Sequence, residues 1–480
     1  MLLMAMVALF VALAVTILDG NWRAGLMVTL MIGFLQDPLR KLTPGQPSQL
    51  AGLVLIAFVL CGLVLYERRQ GFQMRNMFWT MPQLVDMVPA YFTLIGLQAL
   101  NSLGRFGDPV LTTIGAAFYL APALGLWMGF QVGLNPLLLR RLMMIYMIGS
   151  AICGISVYLS FRGVDNPLLK EVGEGILITF RYGFSAQGAS GLWRTSEIAS
   201  WHLGAASSIA ATLAVSSRKP PQQLLLLLLS VAFAFLCILT GRRKAIVLVV
   251  AFAVIFALLL LRRTNPRIRE QIISSLASTS GIAYVLFGLV VVGALGRNFG
   301  EYISRASSTW EEILPRFQLQ GIGAIIKAFD LAQFIGLGVG SAAQTGNLQV
   351  TQRGIENLGY VSEGGGGRLI VELGVPGIIL VGIMGFFLVK LLLRNFKLVK
   401  YLPTEVSILL LGLVSFAIAN VPLFISAAQL YGDPFVLILM SLSLGSFLAV
   451  PSLVAQAQQQ AQAAAAARAL AGSSAPLSLR

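Results

Sequence analysis

The chain has 480 residues, 57% of them hydrophobic and 11% charged, with a mean hydropathy of +0.83 and a formal net charge of +15. Soluble globular domains carry about 25% charged residues, so this composition excludes that class. The basic excess sits in short segments between apolar runs rather than in one patch, which excludes a nucleic-acid footprint.

Residues 2–18 are apolar and no Lys or Arg precedes them. A cleaved signal peptide would have a basic start, so the segment reads as a retained span. Residues 24–36 form a second, short span, and QDPLRKLTPGQPSQ at 36–49 is a Pro-rich loop. Spans of about the length needed to cross a bilayer follow at 49–66, 87–103, 109–130 and 142–160. A polar region at 161–200 has cancelling charges: Arg162, Lys170, Arg181 and Arg194 against Asp165, Glu171, Glu174 and Glu197. Further spans lie at 201–217, 222–240, 245–261 and 279–296. The second polar region, 297–367, ends in Gly364–Gly367, with Glu363 before the glycines and Arg368 after them. The glycines would let the backbone adopt conformations closed to other residues and approach a ligand closely, or else serve as a flexible linker at a helix start. Spans at 368–389, 406–427 and 433–451 complete the set, and a Gln/Ala-rich tail begins at Ala455.

Lipid requires every backbone polar group to be satisfied within the protein, so only helices and closed barrels cross it. These runs are too continuously apolar for alternating barrel strands. The expected fold is all-α, a polytopic bundle of about 12–13 transmembrane helices with two large extracytoplasmic loops. The expected divisions are an N-terminal bundle (1–160), a loop (161–200), central helices (201–296) containing the hairpin 222–261, a large loop (297–367), C-terminal helices (368–452) and a low-complexity cytoplasmic tail (453–480). Cys61, Cys153 and Cys237 lie in apolar runs and imply neither a disulfide framework nor a zinc site.

Charge sets the expected orientation. Basic loops at 67–86, 131–141, 218–221, 262–271 and 390–405 belong in the cytoplasm, which places 161–200 and 297–367 outside. Arg242-Arg243-Lys244 breaks this pattern. It is the tip of a hairpin whose two ends, Arg218-Lys219 and Arg262–Arg269, outvote it. Three cations at the outer edge of the bilayer point to a membrane-borne anion, a phosphate on a lipid. The alternative is that they snorkel to lipid headgroups. The single histidine, His202, rules out a His-based metal cluster within this chain and reads as structural; no cofactor or metal is expected.

These segments resemble a family. GLWRTSE at Gly191–Glu197, LTGRRKA at Leu239–Ala245, GLGVGS at Gly336–Ser341 and SEGGGGRLIVELGVPGIIL at Ser362–Leu380 occur in the order found in the O-antigen ligase and O-antigen/exopolysaccharide polymerase superfamily. Its members are metal-independent membrane glycosyltransferases of GT-C type, acting on undecaprenyl-diphosphate-linked sugars at the periplasmic face. The resemblance covers residues 160–390, and the Glu-Leu-Gly-x-x-Gly ending, Glu372–Gly377, is its most specific part. Two positions depart from the family pattern. The hairpin serine is Arg242, with Arg243 keeping the arginine. The ligase histidine is replaced by Glu363, followed by Gly364 rather than asparagine.

The resemblance implies a bacterial inner-membrane enzyme that polymerises lipid-linked oligosaccharide repeat units into a surface polysaccharide. A ligase acting on another acceptor and a lipid-linked oligosaccharide flippase are the alternatives. The expected partners are the polyprenyl-diphosphate oligosaccharide, membrane lipid, a chain-length regulator and a flippase, with no nucleic acid. Glu363 is the expected general base on a sugar hydroxyl. Arg243, Arg242, Arg194, Arg181, Arg368 and Glu197 are the expected contacts to diphosphate or sugar, since an arginine fork matches phosphate oxygens. A transporter would show internal repeats and ionisable groups near mid-membrane; no repeat is evident, and the spans read as almost free of charge.

Overall fold

A computed structural model of the protein describes residues 2–68, 77, 79–172, 177–179, 185–263, 311, 314–315, 317–332, 334–343, 361, 363–426 and 431–473. The expected span at 279–296, Arg181 and much of the region 297–367 lie outside the described residues.

The protein is a helical bundle. Helices α1 (Leu2–Leu18) and α2 (Trp22–Leu42) form a hairpin, followed by α3 (Leu53–Arg68). A short α4 (Pro82–Asp86) leads into α5 (Val88–Phe106), then α6 (Pro109–Gly133) and α7 (Pro136–Phe161). After a small antiparallel pair, β1 (Leu177–Thr179) and β2 (Ser185–Gln187), come α8 (Ser196–Ser216), α9 (Pro220–Leu239) and α10 (Arg243–Arg263). A π-helical turn (Phe317–Gly323) and α11 (Ala324–Ala332) precede α12 (Gly365–Leu398), α13 (Thr404–Ser426), α14 (Pro434–Leu448) and α15 (Val450–Ser473). The Gln/Ala-rich tail is therefore helical through Ser473.

Among the described residues, nine helices are long and apolar enough to cross a membrane, or ten if α14 and α15, bent by 41°, count as one. The protein is a multi-pass membrane protein. Several helices start in the same way, with an acid or amide at the cap and a proline after it: Asp108-Pro109, Asn135-Pro136 and Asp433-Pro434. The side-chain oxygen accepts from free N–H groups of the first turn, and proline occupies a position with no N–H to lose.

Small residues set the helix contacts. Gly125, Gly129 and Gly133 form a stripe on α6 that lies against Ser441, Leu442, Gly445 and Ser446 of α14. A Cβ on Gly129 would stand 2.5 Å from the Leu442 carbonyl oxygen. Such close approach is how helices gain packing in lipid, where apolar burial gives no preference for protein over tails. Helix α8 is the central element, with 89% of its spanning stretch buried. It is rich in Ser, Thr and Ala, and its hydroxyls bond back to its own carbonyls, as Ser208 does to Gly204 (2.9 Å) and Thr212 to Ser208 (2.8 Å). That satisfies these buried donors without a partner helix, while Ser207 donates across to the Ser230 carbonyl of α9 (2.9 Å).

Side-chain bonds sort the inter-helix segments into two ends. At one end Lys41 donates to the carbonyls of Leu168 (3.1 Å) and Gly191 (2.6 Å), and Arg242 to Ser196 Oγ (2.9 Å). Arg194 pairs there with Asp433. At the other end Arg394 donates to the Thr80 carbonyl, Asn395 to that of Phe447 (3.1 Å), and Arg218 pairs with Glu405. The first end gathers the expected outer loop and the hairpin tip together.

Candidate functional site

The first end holds two charged clusters. One surrounds the start of α8. Arg194 is partly buried, with Nη1 2.6 Å from Asp433 Oδ2 and 3.7 Å from Asp37 Oδ1, while its backbone N–H donates to Asp37 Oδ2 (3.1 Å). Burial works against the guanidinium charge, but Asp433 and Asp37 more than offset it, and its pKa is raised. Glu171 accepts from the Ser196 N–H at the α8 terminus. Burial pushes the Glu171 carboxyl up, against the opposing pull of the Ser196 bonds and Arg242. Lys244 pairs with Glu197 at 2.7 Å. Arg242 and Arg243 stand half-buried beside them at the start of α10.

The second cluster is built on Glu372, which is fully buried. Its Oε2 accepts from Tyr119 Oη (2.6 Å), and its Oε1 accepts from Arg368 Nε (3.2 Å) and from the Ala342 N–H (3.1 Å). The Arg368 guanidinium lies over the Phe118 ring at 3.7 Å. Here the expectation of almost charge-free spans is corrected, because the opening turns of α12 carry a buried ion pair. The pair is tolerated because each charge is matched and hydrogen-bonded.

The glycines of GLGVGS create this cluster. Gly336, Gly338 and Gly340 have φ of 91°, 99° and 87°, a region closed to most side chains. They press against Gly374, Ser102 and the Leu111 carbonyl, respectively. The segment threads between α5, α6 and α12, and α12 breaks at Gly374 (φ 67°) to admit it. Gln98 satisfies the carbonyls of Ile335 (2.7 Å) and Leu373 (3.3 Å), and the Leu337 N–H bonds to that of Val371 (2.7 Å). A broken helix at membrane depth requires this kind of compensation.

Gly364–Gly367 differ from expectation. They read as a flexible approach to a ligand, but Gly364 is an extended cap (φ −85°, ψ 131°) and the other three form the first helical turn of α12. Each lies where a Cβ would strike a neighbour: the Gln320 carbonyl, Phe424, Ile325 and the Val361 carbonyl in turn. Their smallness serves packing. Glu363, just before them, accepts from Gln320 Nε2 on the π-helical turn.

Of the expected site residues, Arg194, Arg242, Arg243 and Glu197 gather at the hairpin tip and the start of α8. Arg368 belongs to the Glu372 cluster, and Glu363 contacts the π-helical turn. Arg181 lies outside the described residues. The segment 431–433 joins the clusters: Tyr431 Oη donates to the Asn420 carbonyl (2.9 Å), a Cβ on Gly432 would lie 3.8 Å from Arg368 Nη1, and Asp433 holds Arg194. Sequence reading missed Asp37, Lys41, Tyr119, Asp433 and the role of Glu372. The signal available for Glu372, Asp37 and Asp433 was an acid within or next to an apolar run. His202 is buried, stacked on Trp193 (5.6 Å, 6°) and bonded to Tyr146 Oη (2.8 Å), in keeping with a structural histidine.

No group of three or more His, Cys, Asp or Glu able to hold a metal occurs among the described residues. No family model matches the chain, and no curated protein matches it.

Proposed function

We propose that the protein is a bacterial cytoplasmic-membrane glycosyltransferase that extends a surface polysaccharide from polyprenyl-diphosphate-linked repeat units at the outer face. The single observation that supports this reading is the charged cluster at one end of the bundle, in which Arg242 bonds to Ser196, Lys244 pairs with Glu197 and Arg194 is held by Asp433. Loop charge places that end opposite the basic cytoplasmic segments.

In this reading an acceptor sugar hydroxyl attacks the anomeric carbon of the donor. A carbon–oxygen bond forms, the bond from the anomeric carbon to the diphosphate oxygen breaks, and its electron pair leaves on the diphosphate. Glu363 accepts the hydroxyl proton. Arg243 and Arg242 stabilise the charge that develops on the diphosphate. Arg194, engaged by Asp37 and Asp433, holds the loop before α8 against the end of α2 and the start of α14. Glu197 fixes Lys244 beside them.

The test is reconstitution of purified protein with an undecaprenyl-diphosphate oligosaccharide. Lengthened lipid-linked chains support a polymerase. Transfer to another acceptor assigns a ligase, and movement across the bilayer without chemistry assigns a flippase. Cysteines introduced at Gln187 and Gln344, with native cysteines removed, should label from outside intact cells. Labelling only after permeabilisation would reverse the orientation and remove the proposed site.

A further inference from the structure

Arg368 is buried, and among the described residues the exposed Gly432 lies beside it. Its Nε is committed to Glu372 Oε1 (3.2 Å), and one face of its guanidinium is covered by Phe118 at 3.7 Å. Its Nη1 points toward Gly432, where a Cβ would stand 3.8 Å away. Gly432 is exposed, whereas its neighbours Tyr431 and Asp433 are buried. Both neighbours are fixed. Tyr431 Oη donates to the Asn420 carbonyl (2.9 Å), and Asp433 caps α14 through Oδ1 (2.8 Å to the Phe435 N–H) while Oδ2 holds Arg194. Two buried, bonded side chains thus flank an exposed glycine, and Arg368 Nη1 lies behind it.

We infer that Gly432 is a side-chain-free window through which the Nη edge of Arg368 receives a phosphate oxygen of a membrane-borne diphosphate. This rests on the glycosyltransferase reading and names the residue that gives the anion access. The chemistry is consistent at each group. Glu372 shares its charge among three donors, so it neutralises Arg368 only in part. Both oxygens of Asp433 are committed, to Arg194 and to backbone N–H groups. The remaining guanidinium edge is a planar pair of donors suited to two phosphate oxygens. The backbone at Gly432 is not left-handed, so flexibility does not account for the glycine.

Gly432→Cys is the test variant. The added Cβ makes ordinary contact with Arg368, and the native Cys61, Cys153 and Cys237 are buried. Full-length protein in detergent is labelled with a polar maleimide in the presence of farnesyl diphosphate or inorganic pyrophosphate, and binding of both probes to wild type is measured separately by calorimetry. Farnesyl diphosphate at ten times its Kd should slow labelling about tenfold, the occupancy factor. Protection at lower concentration by the farnesyl probe than by pyrophosphate assigns a lipid-borne ligand; equal protection assigns free phosphate chemistry and overturns the membrane-borne part. Binding of farnesyl diphosphate to the Gly432→Cys variant is measured by the same calorimetry. Binding weakened relative to wild type supports the window, whereas binding as tight as in wild type with labelling unchanged shows that the window is wrong while the glycosyltransferase reading stands. If neither probe binds wild type, both fall. Arg368→Lys, which keeps charge but loses the fork, should abolish the protection; protection that survives it would remove Arg368 from the contact.

Discussion

Arg194 Nη1 lies 2.6 Å from Asp433 Oδ2, joining the loop before α8 to the start of α14 across half of the chain. Asp37 of α2 closes the arrangement from the other side at 3.7 Å. One guanidinium thus ties three distant segments together at the end of the bundle that holds the candidate site.

Arg194→Ala should destabilise the protein strongly. It leaves two buried carboxylates without their cation, a change that costs about 3–5 kcal/mol. Asp433→Asn keeps a cap oxygen for α14 and should cost less than Arg194→Ala. Thermal unfolding in detergent measures both, and an alanine variant as stable as wild type would show that the ion pair does not hold these segments.

Gly129→Leu should disrupt the contact between α6 and α14, because a Cβ there meets backbone 2.5 Å away. Overpacking of a fixed interface costs about 1–3 kcal/mol or more. Gly96→Leu is the control, since nothing lies within 4 Å of a Cβ at that position. The two variants should separate in detergent stability; equal behaviour would mean that the stripe is not the contact.

Arg243→Ala should abolish polymer formation while the folded protein persists. A ligand to a developing oxyanion is worth about 2–4 kcal/mol in the transition state. Lysine should restore little, because it lacks the planar fork. Near-normal product from the alanine variant in the reconstituted assay would remove Arg243 from the site.

Glu363→Gln keeps size and hydrogen bonding but removes basicity, so turnover should fall by about 10²–10⁴ while donor binding persists. Gln320→Ala removes the donor to Glu363 and should lower turnover less. Glu356, outside the described residues, is the control acid and should tolerate glutamine. Loss of activity with Glu356→Gln but not with Glu363→Gln would reassign the base.

The sequence alone determined the membrane class and the helical fold, and it located most of the apolar spans, because a bilayer requires long apolar runs and internally satisfied backbones. It also placed Arg242 with the loop containing Arg194, since a hairpin whose ends share one side must have its tip on the other. The joining of Asp37 to Arg194 and Asp433, and of Tyr119 to Glu372, was decided only by the tertiary structure. Each pairing depends on which helices become neighbours, and in lipid that is set by shape and small-residue contacts that leave no periodic hydrophobic signal. The glycines show the same division. Sequence marked Gly364–Gly367 as the flexible point, yet positive φ falls on other glycines, Gly336, Gly338, Gly340 and Gly374 around the Glu372 cluster among them. A glycine can be required by backbone conformation or by the closeness of a neighbour, and only the packed neighbours distinguish the two.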